Sequence, residues 1–249
     1  MEADSVVTLL TITSTAFVTS TLTALIGAGG GTALLLVMLW FVPAASVVPD
    51  HGCIQLASNT ARVVLFRRHM HWPVIIRFVV PMPAGVYFGL QLYGMLDQSA
   101  LQLVIAGFVL LSLLVRVPGA MAGRAFPAWA YLPAGFLIGG ANMLVGVLAP
   151  VLGAILRFER LDKERTVGTL GFFGFAGNVF KTAGFVLVGF SFTDYLPMIA
   201  CASLATILGN LLGRRLLGRI SSAGFAAAFR IMLGLLALKL VWDALSGPL

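Results

Sequence analysis

Strongly apolar stretches succeed one another along the chain at about 6–26, 32–43, 47–66, 73–95, 99–117, 128–156, 166–189, 194–213 and 224–245, and that succession decides most of what it can become. Crossing a bilayer's hydrocarbon core takes about 20 helical residues, and most of these stretches meet that length. Of the 249 residues, 59% are hydrophobic and 10% are charged, where a soluble domain carries about 25% charged. So few polar side chains cannot cover a surface in water. A soluble enzyme, a DNA-binding domain and a secreted disulfide scaffold are excluded. The expected fold is an all-α polytopic membrane protein, a single membrane domain over 1–249.

Basic residues orient the stretches. Arg67, Arg68, His69 and His71 crowd one connection, and Arg116 and Arg124 bracket another. Arg157, Arg160, Lys163 and Arg165 fill a third, and Arg214, Arg215 and Arg219 mark a fourth. Cytoplasmic loops collect Lys and Arg, so all four are expected inside. The connections around Asp50, Asp97 and Asp194 carry neither and are expected outside, as are both termini. The start, Met1-Glu2-Ala3-Asp4, is acidic and lacks the positive n-region of a signal peptide. A net charge of +7 and a pI of 10.1 then record loop bias, with no nucleic-acid partner implied. Cys53 and Cys201 make no metal or redox motif and read as buried, inert thiols.

This orientation forces a parity result. Stretch 99–117 ends inside and 166–189 begins inside, so 128–156 has to enter and leave on the cytoplasmic side. A helical hairpin does so, with its bend expected at Gly139-Gly140-Ala141-Asn142 and arms of ~20 Å. Residues 6–43 meet the same constraint from outside, bending at Gly27-Ala28-Gly29-Gly30-Gly31. Motifs recur in the helices that follow: Asn59-x-x-Arg62 with Asn178-x-x-Lys181, and Gly85-x-x-x-Gly89 with Gly209-x-x-x-Gly213. Pro43 and Pro150 close the second arms. The expectation is two inverted-topology repeats, about 6–117 and 128–245, each a glycine-broken helical hairpin followed by three transmembrane helices. Arm 6–26 is long enough to span and its partner from 128 is not, so the expected symmetry is imperfect. Inverted repeats with broken helices and a midplane site characterise secondary transporters.

No catalytic or metal signature is present: His-Glu-x-x-His, Gly-x-Ser-x-Gly and a phosphate loop are all missing. No cofactor is called for. The acids fall in loops or near helix ends, and no carboxylate is expected at mid-membrane. Cations are placed there instead. A charge at the bilayer centre costs roughly 2.5–3.5 kcal/mol and needs a partner, a watery cavity or an anion. Lys181, flanked by Asn178 and Thr182, carries most weight, against a competing reading in which it snorkels to the outer interface. Arg62 precedes Arg67 by ~7.5 Å of helix and reaches either the interior or the cytoplasm.

Asn59 and Asn178 serve equally well as interhelical hydrogen bonds or as ligand donors. Helices restarting at Gly30–Gly31 and Gly140–Asn142 would present unpaired backbone N–H groups to an anion, and glycine admits close approach; plain tight packing is the alternative. Thr11, Thr15, Thr19 and Thr23 share a helix face, either bonded back to the preceding turn or lining a pathway. The candidate binding set is Gly29, Gly30, Gly31, Asn59, Arg62, Gly140, Asn142, Asn178 and Lys181. Thr15, Thr19 and His51, the last at the outer mouth, are the candidate pathway residues.

These residues resemble the TauE/SafE family of sulfite and organosulfonate exporters. The likeness rests on Gly27–Gly31 with the apolar arm to Pro43, the Arg67–Trp72 loop, the Gly85/Gly89 helix and a weaker second copy from Gly135 to Trp242. It covers nearly the whole chain. The resemblance implies a multi-pass inner-membrane permease for small sulfur-containing anions such as sulfite or sulfoacetate. Its partners would be the anion and the lipid bilayer, and an oligomer is compatible with it. Gly140-Ala141-Asn142 departs from the glycine cluster the family pattern has there, and Asn142 would offer an amide instead. An anion channel would use the same cations and helix ends. A membrane-embedded enzyme is the more distant alternative.

Cysteines introduced into 67–72, 118–127, 157–165 and 214–223 are expected to react only from the cytoplasmic side. Labelling of 157–165 from outside would remove the hairpin and the inverted repeat together.

Overall fold

Helix ends follow the breakers in the sequence. Asp162 caps one helix by accepting the Arg165 N–H at 2.7 Å, satisfying an orphan donor of its first turn. Pro81 lacks an N–H and crowds the carbonyl one turn back, and the chain bends there by 42°. A computed structural model describes residues 3–26, 29–114, 127–146, 149–156, 159, 161–216 and 222–246. Among them the regular structure is all helical: α1 (Ala3–Ile26), α2 (Gly30–Met38), α3 (Ala44–Leu65), α4 (Trp72–Val79), α5 (Met82–Tyr93), α6 (Gln98–Leu114), α7 (Tyr131–Val145), α8 (Ala149–Leu156), α9 (Lys163–Leu187), α10 (Leu196–Leu216) and α11 (Ser222–Ser246). Residues 27–28, most of 118–127, and Arg157 and Arg160 of the basic loop lie outside the described residues.

Among the described residues, four helical stretches are long and apolar enough to cross a membrane: Val6–Leu25, Ala128–Val145, Lys163–Leu187 and Thr193–Leu216. The bent pair α4–α5 makes a fifth if taken as one span. Large apolar side chains such as Ile76, Leu92, Leu111, Leu187, Leu204 and Leu238 stand exposed around the bundle, where lipid would cover them. Helix α3 is long enough but too polar, because Asp50, His51, Gln55, Asn59 and Arg62 all point inward and are buried.

Two sequence expectations are corrected here. The second hairpin does not bend at Gly139–Asn142: α7 runs unbroken to Val145, and the chain turns at Gly146, left-handed at φ +69°. Gly139 and Gly140 are spent on packing against α5, which is why glycine at these positions breaks nothing. The stretch from 128 is also long enough to span, so in each half a long helix precedes a short one, α2 at 9 residues and α8 at 8. The hairpin closes on itself, with Tyr131 Oη donating to Glu159 at 2.5 Å. Its two ends therefore share one side of the bundle.

Four helix pairs carry the packing: α1 on α10, α5 on α7, α3 on α9 and α6 on α11. The first two are backbone-close. A Cβ at Gly85 would lie 1.9 Å from the Phe136 carbonyl oxygen, and one at Gly209 would lie 2.4 Å from that of Phe17. Without a hydrophobic driving force between helices in lipid, such small-residue seams supply the van der Waals contact. Connections sort by charge. The Arg214 guanidinium stands 5.8 Å from the Phe66 ring centroid and the His71 N–H donates to Thr169 Oγ1, so basic loops gather at one end. At the other end Tyr93 Oη donates to the Ala45 carbonyl at 2.7 Å, an acceptor released by Pro49 one turn on.

Gly85→Val is expected to cost more than ~3 kcal/mol, the upper range for overpacking, because backbone cannot yield as a side chain can. Gly107→Val, with nothing within 4 Å among the described residues, should leave the melting temperature in detergent unchanged.

Candidate functional site

Gln55, Asn59 and Arg62 fall four and three residues apart, so α3 presents them on one face. That face meets a strip of glycines on α9. A Cβ at Gly174 would lie 2.7 Å from the Asn59 amide, and one at Gly171 would lie 3.1 Å from Arg62 Cβ. A third at Gly177 would come within 3.3 Å of Asn142 Nδ2. Between the strip and the two hairpin turns lies a cavity of about 70 Å3. Its polar lining is Thr23, Gln55, Asn59, Arg62, Asn142 and Asn178, together with the backbone of Gly29, Gly31 and Gly146. At ~10–15 Å3 of such volume per water, it holds several waters or one small oxyanion.

Arg62 is 6% exposed, and no carboxylate lies within ion-pair distance of it among the described residues. Its guanidinium donates to Asn59 Oδ1, while Nε has no partner. Asn178 donates to the Gly174 carbonyl at 2.8 Å and leaves its Oδ1 unpaired. Asn142 donates to the Gly177 carbonyl at 3.3 Å. A buried guanidinium with one neutral partner is expensive to leave unanswered. Helix α2 adds a second donor set. Gly29 caps it at φ 102°, open to glycine alone at low cost, and no side chain bonds the free N–H groups of its first turn.

Of the residues expected from sequence, Gly29, Gly31, Asn59, Arg62, Asn142 and Asn178 line this cavity together. The others do not. Gly30 faces α1, where a Cβ would lie 2.0 Å from the Thr19 carbonyl oxygen, and Gly140 sits in the α5 seam. Lys181 is fully buried but stands behind the lining, its Nζ donating to the Gly146 carbonyl at 3.2 Å and its stem against Gly52. There it answers the negative C-terminal end of α7. Thr19 bonds back to the Thr15 carbonyl at 2.7 Å and Thr23 to that of Thr19, so neither Thr15 nor Thr19 reaches the cavity.

His51 is not at an open mouth: it is fully buried, with Nε2 2.9 Å from the Gly31 carbonyl oxygen. Gln55 joins the lining as well, and its signal in the sequence is a polar residue one turn before Asn59. Asp50, expected in a connection, lies inside α3 and is fully buried.

Among known proteins, the family model described as Sulfite exporter TauE/SafE matches residues 12–240. No curated protein matches, and no solved structure does.

Gly30→Ala is expected to abolish folded protein, since the obstacle is the α1 backbone. Gly31→Ala meets only the end of Gln55 at 3.0 Å, which can swing aside. It should fold with a melting temperature near wild type, and monodisperse yield after extraction distinguishes the two.

Proposed function

This chain belongs to the sulfite exporter TauE/SafE family and is a membrane transporter, not an enzyme; we propose that it exports small sulfur-containing anions, sulfite, sulfoacetate or a close analogue, bound in the cavity beside Arg62. The observation that carries this reading is Arg62 itself: a buried cation without a carboxylate partner among the described residues, lining a cavity the size of a small oxyanion. Asn59 holds the guanidinium, Gln55, Asn142 and Asn178 offer amides, and the first turn of α2 offers backbone N–H groups. Arg62 supplies the charge an anion needs, and its unpartnered Nε with the helix N-terminus of α2 supplies donors. With the cell interior negative, one outward-moving negative charge gains ~2.3 kcal/mol per 100 mV, and a dianion gains twice that.

The two-repeat reading belongs to the same proposal. One constant shift along the chain carries Ile26 to Val145, Gly30 to Ala149 and Ala44 to Lys163, all of them helix ends. The same shift carries Asn59 to Asn178, Arg62 to Lys181, and Thr23 to Asn142. It also carries Gly52, which makes room for Lys181, to Gly171, which makes room for Arg62. Under it α1 on α10 becomes α7 on α5, and both packings are present. These correspondences support two repeats with the cavity between them, and the one-sided basic loops support their opposite orientation.

Arg62→Met is expected to lower anion affinity by at least tenfold more than Lys181→Met, since Arg62 alone lines the cavity. A charged hydrogen bond of roughly 1.5–3 kcal/mol corresponds to about 10–100-fold. Calorimetry with sulfite, sulfate, thiosulfate and sulfoacetate reads this, after a thermal-shift screen in which a bound anion raises the melting temperature. Wild-type affinity in Arg62→Met would overturn the site. Saturable flux into proteoliposomes is the transporter's signature, and single-channel current would indicate a channel.

A further inference from the structure

Asp50 and His51 stand one turn above the cavity on α3, and the anion site makes no use of either. Both are 0% exposed. Among the described residues, neither carboxyl oxygen of Asp50 has a hydrogen-bond partner, and His51 Nδ1 has none. The other ring nitrogen of His51 bonds the Gly31 carbonyl, and Gly31 lines the cavity. Only one repeat carries this pair: the shift that relates the repeats places Thr169 and Leu170 at the corresponding positions. Such an asymmetry points to a task distinct from holding the fold.

The titratable groups around the Asp50–His51 pair come from three other elements. Tyr93 of α5 interacts with it electrostatically, as do Asp194 and Tyr195 in the turn before α10. Cys53 faces it from its own helix, and Lys181 of α9 faces His51. Asp194 is exposed, at the end of the bundle whose connections lack Lys and Arg, so solvent protons have a short route inward. A buried carboxyl without a partner has a protonation state that follows the charges near it. An anion arriving in the cavity is such a charge.

We propose that Asp50 is a proton-binding site linked to anion occupancy, with His51 and Gly31 as the connection to the cavity. When the anion binds, an Asp50 oxygen takes a proton from solvent on the Asp194 side, and the proton is released when the anion leaves. The balance is one O–H bond formed at Asp50 for one lost from hydronium or water. A proton that enters and leaves on the Asp194 side does not cross the membrane, so an exported dianion still carries its full charge outward. This site rests on the anion-transport reading above.

The test is calorimetric binding of sulfate, thiosulfate and methanesulfonate, none of which takes up a proton near neutral pH, in buffers of different ionisation heat. Wild type should take up close to one proton per anion, and affinity should strengthen by about tenfold per pH unit of acidification through the range where Asp50 titrates. Asp50→Asn, or Asp50→Ser should the first not fold, should bind the anions with no proton uptake. Asp50→Glu should restore the uptake. His51→Gln should retain it, and loss there with retention in Asp50→Asn would assign the proton to His51 and overturn the proposal. Buffer-independent heats in wild type overturn it while leaving anion binding intact. Absence of binding by sulfite as well as by every other anion overturns the transport reading, and the proton site falls with it.

Discussion

The structure turns on keeping a guanidinium inside an apolar bundle. Arg62 has no carboxylate to pair with among the described residues, and the Asn59 amide answers its charge; the proposed anion would complete the set. Room for those groups comes from α9, where Gly171, Gly174 and Gly177 leave out the side chains that would otherwise occupy the space. The polar face of α3 depends in turn on that strip. A helix carrying Asp50, His51, Gln55, Asn59 and Arg62 is a poor membrane span by itself and is tolerable only because those groups face protein.

Near-symmetry and its breakdown divide the labour. Arg62 and Lys181 occupy corresponding places and have glycines opposite, Gly171 and Gly52. Yet one cation lines the cavity while the other is committed to the Gly146 carbonyl. The first hairpin presents the N-terminus of α2, and the second presents the C-terminal end of α7, stabilised by Lys181. One turn therefore exposes the positive end of a helix, while the other exposes a negative end that Lys181 answers. Corresponding sequence positions have been put to different electrostatic use.

Close helix contact and the lining of the cavity are separate tasks, although both use glycine. Gly30, Gly85, Gly140 and Gly209 are seam residues, with neighbouring backbone where a Cβ would go. Gly29 and Gly31 border the cavity. Adjacent residues in one glycine run thus do separate jobs, because successive positions on a helix point about 100° apart.

The sequence by itself determined the class, the family likeness and the sorting of loops by charge, since hydrophobic length and Lys/Arg placement are properties of the chain alone. It also carried Asn59, Arg62, Asn142 and Asn178 as site candidates, because polar residues deep in apolar stretches are costly wherever the helix lies. Tertiary structure decided the rest. The second bend moved from Gly139–Asn142 to Gly146, because a glycine pair reads alike whether it breaks a helix or admits a neighbour. Lys181 gave way to Arg62 at the cavity, because only packing shows which carbonyl a buried ammonium finds first. Asp50, beside an apolar boundary in the sequence, is buried without a partner among the described residues, since depth within a bundle is set by the helices around it and not by distance along the chain.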